Sequence, residues 1–143
     1  MTVKAILSVK GCNVITIDPT ATLKDAIATL AKHKIGALVV RGPEQRVIGI
    51  LSERDVVRAL ADEGAESLTK PLAQVMTRKV STCNEADTVS ALMEQMTHGK
   101  FRHVPVLDQE RLVGIISIGD VVKHRLHEME RESEALRDYI QTA

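Results

Sequence analysis

The sequence predicts an α/β fold (α+β in its order of elements) made of two pseudo-symmetric β-α-β-β-α copies packed sheet to sheet, with an extended C-terminal helix. Three observations predict it. The stretch Gly-Ile-Leu-Ser-Glu-Arg-Asp-Val-Val-Arg at Gly49 returns 65 residues on, at Gly114, as Gly-Ile-Ile-Ser-Ile-Gly-Asp-Val-Val-Lys. An internal repeat of this kind fixes the architecture before any detail is read. In both copies an apolar run (Val47–Leu51, Leu112–Ile116) leads straight into Ser-x-x-Asp and a second apolar segment. That pattern reads as a strand buried on both faces, turning directly into a capped helix. Finally, neither Gly nor Pro occurs from Val121 to Ala143, so nothing stops the last helix.

The elements follow in order. Val3-Lys4-Ala5-Ile6-Leu7 is a lead-in, read as a short helix. Val14–Ile17 is a strand, turned by Asp18-Pro19. Thr22 caps a helix with Asp25 at the third position, and Leu23, Ala26, Ile27, Leu30 and Ala31 follow at helical spacing to about Lys34. Ala37–Val40 is a second strand, Arg41–Glu44 a turn, and Val47–Leu51 with the helix from Glu53 to about Glu63 completes the copy. Gly64 to Leu72 reads as a polar linker with Pro71. The second copy replays this: strand Val80–Cys83, a helical stripe of Val89, Leu92, Met93 and Met96, and strand His103–Leu107 at an offset of 66. The shorter turn Asp108-Gln109-Glu110 brings the offset back to 65. The expected units are 1–66, 67–125 and a helical extension, 126–143. Neither copy alone is large enough to bury a comfortable core.

Composition narrows the function. Apolar residues make up 44% of the 143, but Phe101 and Tyr139 are the only aromatics. The core is therefore aliphatic, with Met93 and Met96 in it. Nineteen basic residues balance nineteen acidic ones, so there is no basic footprint for nucleic acid and no stacking platform for single strands. Cys12 and Cys83 lack C-x-x-C spacing and read as small apolar fillers. With no signal peptide and no long apolar span, a cytoplasmic protein without a membrane partner is expected. No Gly-x-Gly-x-x-Gly, Walker loop or nucleophile–base pair stands at motif spacing, so no enzyme is expected. His124 and His127 share a helix face without a third ligand in view, so no metal is expected.

Ile35-Gly36-Ala37-Leu38-Val39-Val40 with Gly49–Val57, and Phe101-Arg102-His103-Val104-Pro105-Val106 with Gly114–Val122, carry a family resemblance, supported by Met76-Thr77. Over about residues 1–125 the chain resembles the tandem of cystathionine-beta-synthase (CBS) domains, the two-copy regulatory unit often called a Bateman module, and its tail resembles that of small stand-alone bacterial members. The resemblance implies an adenosyl ligand in the clefts between copies: AMP, ADP, ATP or NAD(H), with S-adenosylmethionine as an alternative. It implies that Asp55 and Asp120 take the ribose hydroxyls, since a carboxylate accepts two hydrogen bonds from a cis-diol. Ser52 and Ser117 are placed near ribose and phosphate, and Thr77 beside them. Strand backbone reads adenine, through Ile15, Ile35, Gly36 and Ala37 for one cleft and Ser81, Phe101, Arg102 and His103 for the other. Arg102 and His103 are suited to phosphate. Thr16, Arg54, Val80, Pro105 and Gly119 complete the expected set. Against this stands the plainer reading that Ser52/Asp55 and Ser117/Asp120 are capping boxes only. A structural adaptor with vestigial clefts is the corresponding alternative function. In either case the output goes to another protein, so an unknown effector is an expected partner.

The tail adds an assembly expectation. Val122, Leu126, Met129, Ser133, Leu136 and Ile140 follow at spacings of 4, 3, 4, 3 and 4, a heptad seam broken only by Ser133. Charged residues occupy the other faces. A homodimer is expected, joined in part by these helices, which agrees with the flat dimers that the family resemblance implies.

Overall fold

The computed structural model describes residues 1–142. Helix α1 (Val3–Lys10) leads into strand β1 (Thr16–Ile17), helix α2 (Leu23–His33), strands β2 (Ala37–Arg41) and β3 (Val47–Ser52), and helix α3 (Glu53–Glu63). The second copy has helix α4 (Val89–Gly99), strands β4 (His103–Asp108) and β5 (Arg111–Ser117), and helix α5 (Ile118–Thr142). β2 pairs parallel with β1 and antiparallel with β3; β4 pairs antiparallel with β5. Helix starts are capped as the sequence demands. Thr22–Asp25 and Ser52–Asp55 form reciprocal capping boxes, Thr88 caps α4, and Ser117–Asp120 exchange the same pair of bonds.

Five expectations need correction. Met93 is exposed and not in the core, and Cys12 is exposed and fills no apolar gap. Val80–Cys83 is not a strand: only Cys83 bridges Val106. The cause is Pro105. In the first copy the Val39 N–H donates to the Ile15 carbonyl. Sixty-six residues on, Pro105 stands at Val39's place facing Ser81, and proline has no N–H to give. The linker is not merely polar coil either. Gly64–Thr69 and Leu72–Gln74 are 3₁₀ turns, with Ser67 and Leu72 buried. Lastly, α1 is more than a lead-in, because it builds the other copy's core.

Two separate cores form. One gathers Leu23, Ala26, Leu30, Leu38, Val40 and Leu51 with Leu72 and Met76. The other gathers Val89, Leu92, Met96, Val104, Val106 and Ile116 with Val3, Ile6 and Leu7. The segment that precedes each copy therefore completes the core of the other. The exchange is reciprocal at an offset of 69. Val3 N–H donates to Asp87 O and Leu72 N–H to Ala21 O; Val89 N–H donates to Met1 O and Leu23 N–H to Lys70 O. The two repeated glycines make room for it. A Cβ on Gly49 would collide with the Met76 thioether, and one on Gly114 would lie 2.6 Å from a Leu7 methyl.

Alternation on the strands covers both faces of each sheet. Leu38 and Val40 enter the first core, while Ala37 and Val39 are buried on the opposite face; Val104 and Val106 enter the second core, while Pro105 is buried opposite. The copies meet on those opposite faces, where Gly36 lies against His103.

Leu72 lies between the repeats in sequence but has no exposed surface. Leu72→Ala is expected to cost about 2–5 kcal/mol, the range for a fully buried leucine, read from urea denaturation. A loss below about 0.5 kcal/mol, the scale of an ordinary surface substitution, would contradict the crosswise core.

Candidate functional site

The Ser52–Asp55 turn places its carboxylate at the seam between the copies. Asp55 is 4% exposed, and its two oxygens have different work. Oδ2 accepts from the Ser52 N–H (2.9 Å) and hydroxyl (3.1 Å), which closes the α3 cap. Oδ1 accepts from the Thr77 hydroxyl (2.9 Å) and from Arg58 (3.3 Å), whose side chain is two-thirds exposed. Thr77 is brought there because its backbone N–H and C=O both bond Ile50, at 2.9 and 3.0 Å.

This carboxylate stands at the wall of a cleft of about 580 Å³, a size suited to a small-molecule ligand. Of the expected residues, Gly36, Ser52, Arg54, Asp55, Thr77, Val80, Ser81, Phe101, Arg102 and His103 line it. Ile50, Glu53, Arg58, Lys79, Gly99 and Lys100 line it as well and were not anticipated. Two of these were signalled: Arg58 is one helical turn past Asp55, and Lys100 adjoins Phe101-Arg102. Lys79 and Ile50 depend on where the lead-in docks, which no local pattern reports.

The electrostatics are one-sided. Arg54, Arg58, Lys79, Lys100 and Arg102 face Glu53 and Asp55, a surplus of three positive charges in a chain of zero formal net charge. Arg54 is held by a 3.0 Å bond to the Lys100 carbonyl. Burial pushes the His103 pKa down; Lys10 and Arg102 push the same way, against Glu53 and Asp120. The Phe101 ring packs on Gly99, where a Cβ would strike it.

The remaining expected residues lie elsewhere. Ile35 lines a separate groove with Ile27, Leu30 and Val56 between α2 and α3. Ile15 packs against the first core, Thr16 is in β1, and Ala37 and Pro105 are buried on their strands. Ser117, Gly119 and Asp120 stand at the β5–α5 turn, the pseudo-equivalent of the Ser52–Asp55 turn. There Asp120 Oδ2 accepts from the Ser117 N–H (2.8 Å) and from Lys10 Nζ (2.6 Å). Burial alone would raise the Asp120 pKa; the hydrogen bonds from Lys10 and Ser117 and the Lys10 charge outweigh it and hold the carboxyl below its ordinary value.

Among the described residues, Cys83 and His124 carry no comparable chemistry. Burial, aided by the Asp87 charge, pushes the Cys83 thiol up to about 12, so Cys83 is an inert filler. His124 lies 3.3 Å from Glu128 on its own helix. Among the described residues no helix is long and apolar enough to cross a membrane.

Comparison with known proteins agrees with this arrangement. The model of the CBS domain matches residues 3–62 and 72–127. The chain is 36% identical over 124 residues to the mitochondrial CBS domain-containing protein CBSX3 of Arabidopsis thaliana, covering 84% of this chain but only 60% of that protein. The crystal structure of the CBS-domain containing protein ATU1752 from Agrobacterium tumefaciens superposes with a TM-score of 0.84 at 49% identity, covering 87% of this chain and 92% of that one. The CBS domain pair of protein MJ0100, solved in complex with 5-methylthioadenosine and S-adenosyl-L-methionine, superposes with a TM-score of 0.80 at 28% identity, covering 90% and 98%. With two matched copies, their lead-ins exchanged and a cleft between them, this chain belongs to the CBS-domain family as a tandem CBS protein, or Bateman module.

Proposed function

We propose that the chain is a regulatory module, not an enzyme, that binds an adenosyl ligand in the cleft bearing Asp55 and reports its occupancy to a partner protein. The observation that carries this reading is the meeting of Asp55, Thr77 and five cationic side chains in one cleft of ligand size. Asp55 suits a dual role. Oδ2 stays committed to the helix cap, while Oδ1 exchanges Thr77 and the exposed Arg58 for the ribose hydroxyls. Arg58 is then free to join Arg54, Lys79, Lys100 and Arg102 around phosphate, for which guanidinium groups are the best match. Strand backbone near Ser81 and Phe101–His103 reads the base. The related MJ0100 pair holds 5-methylthioadenosine and S-adenosyl-L-methionine. Here the positive surplus favours a phosphate-bearing ligand of the AMP, ADP, ATP or NAD(H) kind over a sulfonium cation.

We further propose that the protein is a homodimer. Val122, Leu126, Met129, Leu136 and Ile140 of α5 are all at least half exposed. Val57 of α3, 65 residues before Val122, is exposed too. Both pseudo-equivalent helices thus present apolar side chains to solvent, and a second copy related by a twofold axis covers both at once.

Two outcomes are expected. Arg102→Ala should weaken AMP binding by about tenfold, the scale of one lost charge-assisted hydrogen bond at a solvent-accessible site, and leave adenosine binding unchanged in calorimetry. Equal loss for both ligands would place Arg102 away from phosphate, and no binding of any adenosyl compound to the parent chain would remove the ligand reading. Sedimentation should show a dimer at micromolar concentration that shifts toward monomer on truncation after His124; a monomeric full-length chain would refute the assembly.

A further inference from the structure

The turns at Asp55 and Asp120, the second marking the pseudo-equivalent position of a second cleft, are built from equivalent parts, yet their carboxylates are satisfied differently. In the first, Thr77 serves two acceptors: its backbone N–H donates to the Ile50 carbonyl and its hydroxyl to Asp55 Oδ1. The second-copy counterparts of Ile50 and Asp55 are Ile115 and Asp120, each 65 residues on. The lead-in exchange, at its offset of 69, makes Ser8 the counterpart of Thr77 and Lys10 that of Lys79. Ser8 does not act like Thr77. Here α1 is still helical, and the Ser8 hydroxyl donates back to Ala5 O.

Lys10 does both jobs in its stead. Its ammonium donates to the Ile115 carbonyl at 2.7 Å and to Asp120 Oδ2 at 2.6 Å. An ammonium has three protons in tetrahedral array, enough to serve a carbonyl and a carboxylate together. Lys79, its counterpart, makes no ion pair among the described residues and lines the open first cleft. The rest of the second cleft is also poorer in charge. Arg54 and Arg102 have glycine counterparts, Gly119 and Gly36, while Arg58 and Lys100 have lysine counterparts, Lys123 and Lys34. A ligand entering there would have to break a short ion pair, and it would find no guanidinium among the counterparts of Arg54, Arg58 and Arg102 to meet its phosphates.

We propose that Lys10 closes the second cleft, its ammonium holding the place in which a ribose would meet Asp120, so that the chain loads one adenosyl ligand, in the first cleft alone. This rests on the adenosyl reading of the first cleft. Lys10 is the residue that sets the stoichiometry.

Native mass spectrometry of the full chain with AMP tests it. The parent should take up one AMP per chain, and Lys10→Met, which keeps the aliphatic stem and removes the ammonium, should take up two. Two AMP on the parent, or one on a cooperatively folded Lys10→Met variant, overturns the proposal. Should that variant fail to fold, acetylation footprinting of the parent decides. AMP should slow modification of Lys79 and Lys100 and leave the rate at Lys10 unchanged; a changed rate at Lys10 means that the ligand reaches Asp120 and overturns the proposal. No AMP on either protein and no footprint is a different result, which removes the adenosyl reading itself and this proposal with it.

Discussion

Each copy's core is closed by a segment that belongs, in sequence, to the other. Leu72 and Met76 complete the first core, while Val3, Ile6 and Leu7 complete the second. Most of the functional geometry depends on this exchange. Because Leu72–Met76 is anchored in the first core, Thr77 is delivered to Ile50 and Asp55, and Lys79 to the cleft wall. Because α1 is anchored in the second core, Lys10 is delivered to Asp120. The two glycines at which the repeat begins, Gly49 and Gly114, are the steric condition for it, since a side chain at either would take the space of an exchanged residue. The exchange also ties two small domains into one folding unit, as neither core is complete without the other's lead-in.

The pseudo-symmetry is broken by few residues, and each break has a local cause. Pro105 removes one backbone donor, and with it the strand before β4 shrinks to a single bridge at Cys83. α1 stays helical through Lys10 where the other lead-in has turned extended at Thr77, so a lysine side chain reaches acceptors that backbone and hydroxyl reach in the first copy. Arg54 and Arg102, both in the first cleft, have the glycines Gly119 and Gly36 as their repeat counterparts. The result is one strongly basic cleft and one whose carboxylate is already neutralised from within.

Much of this was legible in the sequence. The repeat at Gly49 and Gly114 carried the architecture, and the Ser-x-x-Asp turns carried the helix starts, while the place of the carboxylate at the cleft came from the family resemblance. The unbroken tail carried α5 and its exposed apolar seam. The lead-ins were not legible, for two reasons. Val3-Lys4-Ala5-Ile6-Leu7 and Leu72-Ala73-Gln74-Val75-Met76 share little beyond apolar ends, and their offset of 69 differs from that of the repeat. Apolar spacing says that a segment is buried; it does not say against which partner. Thr77 was reached only through the family resemblance, and Lys79 in one cleft and Lys10 at the other carboxylate, both positioned by the lead-ins, were hidden. Pro105 was visible, and its missing donor already argued against a full strand at Val80–Cys83.

On the reading proposed above, the exchanged lead-in and the Asp55 turn together form a ligand cleft. A backbone amide chemical-shift titration of the full chain with AMP tests it most directly. The account predicts that the perturbed amides cluster at Gly36, Ser52–Asp55, Thr77, Ser81 and Lys100–His103, where both copies and the lead-in meet. Saturation without shifts at those positions, or shifts centred on Ile27, Leu30 and Val57 in the α2–α3 groove, would contradict it.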